Sequence, residues 1–213
     1  MLVITSTTTL VPDNPAAAYA AYRQAASAVF LAGTQGLKYK KDHYDLAVDL
    51  SKAGLTYIDE RADEIVIGAM TPLWQIKISQ AIQNFAGGAI SKAISDVADK
   101  NIQRYGTLGG VISSKAPFSV LLPILLSLHV DVQLQDKGCM SLDDYLHCPP
   151  MGELVTGISI AKEAVYTAYK AYRKLPVDEP YLVGAVAMRD DSWRIVVGGR
   201  PGLAAIARSA SEE

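Results

Sequence analysis

The sequence predicts an α+β protein, in which a small parallel β-α-β-like unit precedes a hairpin-rich region, core helices and a pair of C-terminal strands. Three observations favour this fold class. The chain has 213 residues, of which 50% are hydrophobic, so one compact unit or two small subdomains can bury a sizeable core. Strand-like and helix-like runs alternate near the N-terminus. Two strand-like runs flank an acidic turn near the C-terminus.

The N-terminal unit is predicted from one helix signal and the composition of its strands. Asn14 is placed to cap a helix whose first turn holds Pro15, and the alanines that follow favour a helix. Short apolar runs after this helix favour two strands that run parallel to each other. The predicted elements are 1–9 (a short strand or a loose arm), the helix 16–26, and the strands 28–31 and 46–50.

The remaining elements follow from apolar runs, caps and turn residues. Asp190-Asp191 is predicted as the turn of a hairpin, and the spacing of Tyr166, Tyr169 and Tyr172 is typical of one helical stripe packed on the core. In chain order we predict strands 55–58 and 64–67, a helix near Leu73 capped by Thr71-Pro72, a helix 89–97, a turn 107–112 with adjacent glycines, a core helix 120–128, a strand 130–134, a capped turn or short helix 141–145, strands 154–160, 181–189 and 193–198, and a fraying tail 202–213.

The overall charge and hydropathy exclude several classes of partner. The net charge of −2 argues against nucleic acid, because phosphate binding needs clustered Lys and Arg. The short basic run 38–41 is typical of a solvated loop. The apolar stretch 120–130 is too short for a bilayer, which takes about 20 residues. The first ten residues lack the features of a secretory signal, so we expect a soluble, cytoplasmic protein with no membrane partner.

The reactive side chains do not form a self-contained catalytic centre. Cys139 and Cys148 suggest neither a zinc site nor a disulfide framework; they could approach each other, but two cytoplasmic thiols are the simpler interpretation. The histidines, at 43, 129 and 147, have no metal-ligand spacing. The acidic pairs at 143–144 and 190–191 fit caps and turns. The sequence contains no P-loop and no nucleophile elbow, so a bound cofactor is expected to carry any chemistry.

Two glycine turns are candidates for holding a phosphate group. Gly33 and Gly36 flank Thr34-Gln35 after a buried strand, and Gly109-Gly110 follow Thr107. Glycine lets backbone N–H groups point into one concave space, and such groups bind anions. Together the two loops could cradle a pyrophosphate. Each alone is also typical of a structural turn.

The order of several motifs is more specific than any one of them. The chain contains, in order, Leu31-Ala32-Gly33-Thr34-Gln35-Gly36-Leu37, Ile65-Val66-Ile67-Gly68-Ala69-Met70-Thr71, Ile102-Gln103-Arg104-Tyr105-Gly106-Thr107-Leu108-Gly109-Gly110, Leu121-Leu122-Pro123-Ile124-Leu125-Leu126-Ser127-Leu128, Ser141-Leu142-Asp143-Asp144-Tyr145-Leu146 and Gly152-Glu153-Leu154-Val155-Thr156. Tyr172-Arg173-Lys174 and residues 183–188 follow. This series resembles the FAD-binding subunits of molybdenum hydroxylases, the xanthine dehydrogenase and CO dehydrogenase flavoprotein family.

The resemblance implies a fold and a role. The fold is two α/β subdomains, about 1–54 and 55–160, that clasp FAD, followed by a shortened antiparallel α+β domain over 161–213. The role is electron transfer within a complex. A molybdenum-cofactor subunit oxidises the substrate, an iron–sulfur subunit passes electrons to FAD, and NAD or another acceptor receives them.

The resemblance also implies which residues contact FAD. The first loop would hold the pyrophosphate largely through backbone N–H groups, and the second would lie near the pyrophosphate and flavin. A lysine at the start of the C-terminal domain contacts FAD in some members. The implied residues are Ala32, Gly33, Thr34, Gln35, Gly36 and Leu37, then Thr107, Leu108, Gly109, Gly110 and Val111, and finally Lys174.

The chain departs from the family pattern at three places. Thr34 replaces the second glycine of the first loop, and Val120 replaces an aspartate that bonds the cofactor. The helices that cover the C-terminal sheet in other members lie beyond Glu213, so the uncovered face is expected to be small, to meet a partner, or to be buried in a homodimer. Val120 and the short C-terminal domain favour an alternative role, which the two glycine loops and their order oppose: a degenerate member without tight FAD binding that acts as a structural or assembly partner.

Overall fold

A computed structural model describes residues 5–37, 42–97, 99–163, 165–176, 178–199 and 202–212. The predicted basic loop at 38–41 and the first four residues of the predicted arm lie outside the described residues. In the described part of the chain, no helix combines the length and the apolar character needed to cross a membrane.

The N-terminal sheet is parallel, as its strand and helix signals predict. It contains β1 (Thr5–Leu10), β2 (Ala28–Leu31) and β3 (His43–Asp49) in the order β1-β3-β2, and α1 (Pro15–Gln24) connects β1 to β2. The side-chain oxygen of Asn14 accepts the N–H of Ala17 at 2.8 Å and caps α1. The predicted cap, helix and parallel strands are confirmed, and the described part of the predicted arm is a strand.

The second sheet is antiparallel, with the strand order β4-β5-β8-β6-β7. Its strands are β4 (Ile58–Glu60), β5 (Glu64–Gly68), β6 (Val130–Leu134), β7 (Gly138–Ser141) and β8 (Val155–Ala161). The first predicted strand of this region, 55–58, is shifted: β4 begins at Ile58, where pairing with Ile67 starts. The predicted strand 130–134 matches β6.

The chain between β5 and β6 is helical. It forms α2 (Leu73–Ile78), α3 (Gln80–Asn84), α4 (Ala89–Ser95), α5 (Lys100–Tyr105), α6 (Leu108–Ser114) and α7 (Leu121–Ser127), and α8 (Leu142–His147) follows β7. All seven residues of α7 are buried. The predicted core helix is therefore confirmed. The predicted short helix is also confirmed as α8, which is capped by the hydroxyl of Ser141.

The C-terminal sheet is antiparallel, with the order β12-β11-β10-β9. Its strands are β9 (Tyr166–Tyr172), β10 (Leu182–Arg189), β11 (Ser192–Gly198) and β12 (Ala205–Ile206), and α9 (Arg208–Ser211) follows. Asp190 and Asp191 have φ values of 44° and 62° and form the predicted turn, since a two-residue hairpin turn of this type needs positive φ at both positions. The predicted fraying tail is wrong, because β12 pairs with β11 through Ile206 and Ala205.

The tyrosines of β9 do not form the predicted helical stripe. Tyr166 to Tyr172 pair with β10 along their whole length, and pairing overrides a spacing that is compatible with either structure. Because side chains alternate along a strand, Tyr169 points to one face, whereas Tyr166 and Tyr172 point to the other. Tyr169 is buried and Tyr166 is 77% exposed.

Two hydrophobic clusters stabilise these sheets. The larger joins the second and C-terminal sheets, because α7 packs on β10 and β11 and belongs to the same cluster as Val132 of the second sheet and Val196 of the C-terminal sheet. The smaller lies between α1 and β3 and includes Tyr19, Val48 and Leu154. The N-terminal sheet therefore packs on a smaller cluster, to which Leu55 and Leu154 beside the second sheet also contribute, whereas the other two sheets share the larger one.

The two faces of the C-terminal sheet differ in what covers them. On the inner face, a Cβ atom added to Gly198 would lie 2.6 Å from the Cγ of Pro123 in α7. On the outer face, a Cβ atom added to Gly184 would meet no atom within 4 Å. One face is therefore tightly packed and the other is open.

This contrast predicts that a glycine-to-alanine substitution changes the free energy of unfolding differently on the two faces. Gly198→Ala is expected to lower the free energy of unfolding by about 1–3 kcal/mol, because the added methyl overpacks the contact with Pro123. Gly184→Ala should be neutral, or stabilising by up to about 0.5 kcal/mol, since it only restricts the unfolded chain. Urea denaturation of both variants measures the difference; equal effects would contradict the assignment of the two faces.

Candidate functional site

The first glycine loop leaves the end of β2 as a tight turn. The N–H of Leu37 donates to the carbonyl oxygen of Thr34 at 3.1 Å, and the side-chain amide of Gln35 donates to the carbonyl oxygen of Gly33 at 3.1 Å. Within the described residues, no protein oxygen accepts the N–H groups of Gly33, Thr34 and Gly36. The loop therefore offers backbone donors to an anion.

Gly33 lies where the two glycine loops approach each other. A Cβ atom on Gly33 would overlap the carbonyl oxygen of Tyr105 and lie 3.0 Å from the Cα of Gly106. Gly106 leads directly into Thr107, so the structure brings the start of the second loop against the first. Only glycine permits this approach, because a side chain at position 33 would push the two segments apart.

Thr34 adopts a left-handed backbone conformation, with a φ of 55°. This conformation suits glycine and is unfavourable for a β-branched residue. The resemblance implies a glycine at this position. Thr34 therefore takes a backbone conformation that suits the implied glycine, at a cost in strain. Ala32 and Leu37, at the two ends of the loop, are half-buried.

The second glycine segment is the first turn of a helix, where the sequence predicts a non-helical turn. The hydroxyl of Thr107 accepts the N–H of Gly110 at 3.2 Å, and the N–H of Val111 donates to the carbonyl oxygen of Thr107 at 3.0 Å. Thr107 therefore caps α6, and both adjacent glycines lie inside the helix. The capping hydrogen bond of Thr107 explains why the segment is helical, because a threonine cap stabilises the first turn of a helix even where glycines follow it.

The backbone of this second segment is also bonded to the segment that follows β5. The N–H of Leu108 donates to the carbonyl oxygen of Thr71 at 3.1 Å, and the N–H of Gly109 donates to that of Ala69 at 2.8 Å. A Cβ atom on Gly109 would lie 2.8 Å from the Cβ of Ala69. The N–H groups of residues 108–111 are therefore engaged within the protein, unlike those of Gly33, Thr34 and Gly36.

Thr71 is a fully buried polar residue that the sequence predicts, together with Pro72, as the cap of the helix near Leu73. Its hydroxyl donates to the carbonyl oxygen of Tyr57 at 2.9 Å and accepts the N–H of Tyr57 at 3.1 Å. The predicted cap is wrong, because Pro72 occupies the capping position of α2 and no side chain caps that helix. Thr71 instead joins the start of the second sheet to the second glycine segment. The partner of its hydroxyl lies 14 residues away, so no local signal predicts it.

Val120 occupies the position where the resemblance implies an aspartate. It is buried at the start of α7 and belongs to the larger hydrophobic core. The N–H of Leu122 finds its acceptor in the hydroxyl of Ser119, at 3.2 Å. Position 120 therefore contributes packing rather than a charged acceptor.

Lys115 was missed by the sequence analysis and holds the end of α6 against the end of α8. Its ammonium group donates to the carbonyl oxygens of Tyr145 and Leu146, both at 3.0 Å, and lies 5.2 Å from the centroid of the Tyr145 ring. Burial lowers the pKa of Lys115. Both contacts depend on tertiary packing, so nothing in the local sequence indicates them.

Lys174 is exposed in the connection between β9 and β10. Its neighbour Arg173 donates to the carbonyl oxygen of Asp96 at 2.8 Å, which places this connection beside the end of α4. In the part of the chain that the structure describes, no hydrogen bond or ion pair joins Lys174 to either glycine loop. The structure thus brings the two loops together and does not join Lys174 to them.

The fold and the first loop define a class: α+β proteins in which a parallel strand leads into a glycine turn with backbone donors suited to an anion. The loop suits a pyrophosphate chemically, because three of its backbone N–H groups are available to an anion and Gly33 lies too close to Tyr105 for any side chain. The sequence model of the family described as "FAD binding domain in molybdopterin dehydrogenase" matches residues 5–162. The chain belongs to this family, and its cofactor is FAD.

Solved structures of two oxidoreductases share the fold. A carbon monoxide dehydrogenase from Hydrogenophaga pseudoflava superimposes with a TM-score of 0.86 at 22% identity, covering 96% of this chain and 78% of that chain. Quinoline 2-oxidoreductase from Pseudomonas putida 86 superimposes with a TM-score of 0.85 at 18% identity, covering 100% of this chain and 79% of that chain. At these identities the similarity shows the fold.

A relative in Escherichia coli K12, the uncharacterized protein YgfM, is 29% identical over 175 residues. The match covers 81% of this chain and 66% of YgfM, so the chain spans less than two thirds of that protein.

The predicted family, the predicted α+β fold class and the predicted cofactor are confirmed. The individual FAD contacts and the subdomain boundaries stay predictions.

Replacing the buried hydroxyl of Thr71 tests its structural role. Thr71→Val keeps the shape of the side chain but removes both hydrogen bonds to Tyr57 and leaves the backbone N–H of Tyr57 without this acceptor. We expect the free energy of unfolding to fall by about 1–3 kcal/mol. The matched control is Thr8→Val, at an exposed position of β1, which should change it by less than about 0.5 kcal/mol. Urea denaturation compares the two; an unchanged Thr71→Val would contradict the assignment.

Relieving the strained conformation of Thr34 should stabilise the protein. A left-handed conformation costs a residue other than glycine roughly 1–2 kcal/mol. Glycine avoids this strain, but it loses more backbone entropy on folding, which offsets the gain by roughly 0.5–1 kcal/mol. Thr34→Gly is therefore expected to raise the free energy of unfolding by about 0.5 kcal/mol. Thr34→Ala keeps most of the strain and should give no such gain. Thermal and urea denaturation measure both, and a larger gain from alanine would argue against strain at this position.

Proposed function

We propose that this chain is the FAD-binding electron-transfer subunit of a molybdenum hydroxylase complex of the xanthine dehydrogenase type. One observation carries the proposal: the N–H groups of Gly33, Thr34 and Gly36 are available beside a contact with Tyr105 that only glycine permits. Membership of the family supports FAD as the ligand of these donors.

The proposal divides the binding of FAD between two segments. Residues 32–37 hold the pyrophosphate, because the N–H groups of Gly33, Thr34 and Gly36 meet no protein acceptor in the described part of the chain. Residues 107–111 follow the Tyr105–Gly106 contact with Gly33 and lie near the pyrophosphate and flavin, while the N–H groups of residues 108–111 bind Ala69, Thr71 and Thr107. Lys174 adds a positive charge from the connection between β9 and β10. When bound, FAD supplies a carrier that takes up and releases electrons.

The proposed partners are an iron–sulfur subunit, which delivers electrons, and a molybdenum-cofactor subunit, which oxidises the substrate. NAD or another acceptor receives the electrons. Membership of the family of FAD binding domains in molybdopterin dehydrogenase supports this assembly, as does the fold shared with a carbon monoxide dehydrogenase that lacks the Mo-pyranopterin moiety of the molybdenum cofactor. We also propose the division into 1–54, 55–160 and 161–213. A cytoplasmic location accords with Cys139 and Cys148, which are exposed free thiols.

A second function has its own structural support. The chain is then a degenerate member that has lost tight FAD binding and acts as a structural or assembly partner. Val120 is buried in the core where a charged acceptor is implied, and the donors of residues 108–111 are engaged within the protein. Both features remove contacts to a cofactor without disturbing the fold.

Flavin binding by matched glycine variants separates the two functions. The purified chain, incubated with FAD and passed through gel filtration, should retain the flavin absorption bands. Gly33→Ala should weaken FAD binding by at least about tenfold, equivalent to about 1.4 kcal/mol, because it forces the first loop away from Tyr105. Gly184→Ala, an open glycine in the C-terminal sheet, should leave FAD binding unchanged.

Circular dichroism of Gly33→Ala checks that the fold survives the substitution. If the unaltered chain retains no flavin, alone or with a co-expressed iron–sulfur and molybdenum subunit, the electron-transfer proposal is wrong and the structural-partner function stands. If Gly33→Ala and Gly184→Ala bind FAD equally well, the first loop is not the pyrophosphate site.

A further inference from the structure

Thr34 is a strained residue at an exposed position of the first glycine loop. Its φ of 55° lies in the left-handed region, which is unfavourable for a side chain that is branched at Cβ. In the described chain, five residues other than glycine have a positive φ, and Thr34 is the one among them with a branched Cβ. Glycine would fit the same conformation without this strain. Strained residues cluster at ligand sites, so Thr34 is a candidate for a functional role.

The surrounding structure holds Thr34 in its left-handed conformation. On one side, Gly33 packs against the carbonyl oxygen of Tyr105. On the other side, the carbonyl oxygen of Thr34 accepts the N–H of Leu37 at 3.1 Å. The strand that leads into the loop, β2, is itself paired with β3. The loop therefore cannot relieve the strain by a local shift, and the direction of the Cα–Cβ bond of Thr34 is fixed.

The side chain of Thr34 makes no contact within the protein that offsets the strain. It is exposed, and its hydroxyl forms no hydrogen bond with the described residues. Lys115 has a similar φ of 48°, but its ammonium group donates to the carbonyl oxygens of Tyr145 and Leu146. The conformation of Lys115 is thus supported by tertiary contacts of its side chain, whereas that of Thr34 is not.

The backbone around Thr34 presents donors that an anion can accept. The N–H groups of Gly33, Thr34 and Gly36 meet no acceptor among the described residues. Only Cα and Cβ lie between the backbone nitrogen of a threonine and its Oγ1, and two of the three staggered rotamers bring these two atoms close together. An anion that accepts the N–H of Thr34 therefore lies within reach of the Thr34 hydroxyl, which can add a donor to the same site.

Gln35 carries the other polar side chain of this loop, and that side chain is directed back into the loop. Its amide donates to the carbonyl oxygen of Gly33 at 3.1 Å. The remaining side chains of residues 32–37 are apolar or absent. Thr34 is therefore the residue of the first loop whose side chain offers a hydroxyl on the exposed side.

We propose that the hydroxyl of Thr34 donates to a phosphate oxygen of the FAD pyrophosphate, beside the N–H of the same residue. A hydrogen bond to a charged phosphate oxygen is stronger than one between neutral groups. The strain of Thr34 is then offset by the ligand, and the side chain is a determinant of affinity. This inference rests on the proposed FAD function and adds a side-chain contact to the backbone contacts of the loop.

Variants that separate the hydroxyl from the shape of the side chain test this contact. Thr34→Val keeps the branched shape and removes the hydroxyl, whereas Thr34→Ser keeps the hydroxyl. The dissociation constant of FAD, measured by flavin fluorescence, should rise about tenfold in Thr34→Val, equivalent to about 1.4 kcal/mol. It should change by less than about twofold in Thr34→Ser. Circular dichroism of both variants checks that they are folded.

The matched control is Thr8→Val, at an exposed position of β1, which β3 separates from β2. It makes the same chemical change and should leave the dissociation constant of FAD unaltered. Equal affinities of Thr34→Val and the unaltered chain would overturn this inference and leave the FAD site in place. An equal loss in Thr34→Ser and Thr34→Val would also overturn it, because the hydroxyl would then contribute nothing. If the unaltered chain binds no FAD, alone or with co-expressed partner subunits, the proposed function and this inference fail together.

Thr34→Gly should change stability and affinity in opposite directions. Without FAD, this variant should melt at a higher temperature than the unaltered chain, because glycine removes the strain. At one fixed concentration of FAD, the ligand should raise its melting temperature by less, since stabilisation by a ligand depends on affinity. A purely structural role of Thr34 would not separate the two quantities. An FAD-induced rise that is as large in Thr34→Gly as in the unaltered chain would contradict the proposal.

Discussion

The backbone of residues 69–71 is hydrogen-bonded on several sides, and the position of both glycine loops depends on it. Ala69 donates to Thr156 of the second sheet at 2.9 Å and accepts from Gly109 at 2.8 Å. Met70 donates to Leu55 at 2.9 Å, and the carbonyl oxygen of Thr71 accepts from Leu108. These bonds fix the start of α6 against the second sheet. The residues just before α6 then form the surface on which the first loop rests.

The two glycine segments share a motif and differ in what their backbone does. In the second, hydrogen bonds inside the protein use the donors, and the absence of a side chain at position 109 serves close packing on Ala69. In the first, the missing side chain of Gly33 serves close packing on Tyr105, while neighbouring donors remain available. Glycine spacing alone cannot separate these roles, because both need a small residue where two backbones meet.

Local signals predicted the elements that local interactions define. Asn14 and Pro15 begin α1, the apolar run forms α7, and Asp190-Asp191 turn the hairpin. The errors arose where a distant partner decides the structure. Tyr166 to Tyr172 form a strand because β10 pairs with them, and the tail is ordered because β11 offers it an edge. Thr71 was assigned to a cap because its partner, Tyr57, is distant in sequence. The order of the motifs identified the family and FAD. It could not show which backbone N–H groups are hydrogen-bonded within the protein, because those bonds depend on tertiary contacts.

The small size of the cluster beneath the N-terminal sheet has a consequence for local stability. This cluster, which includes Tyr19, Val48 and Leu154, is much smaller than the core around α7. Because opening free energy scales with the apolar contacts that must be broken, the N-terminal sheet should open more readily than the two sheets that share the larger core. The first glycine loop follows a strand of the more easily opened sheet, so its amide hydrogens should exchange with solvent sooner than those of the second glycine segment.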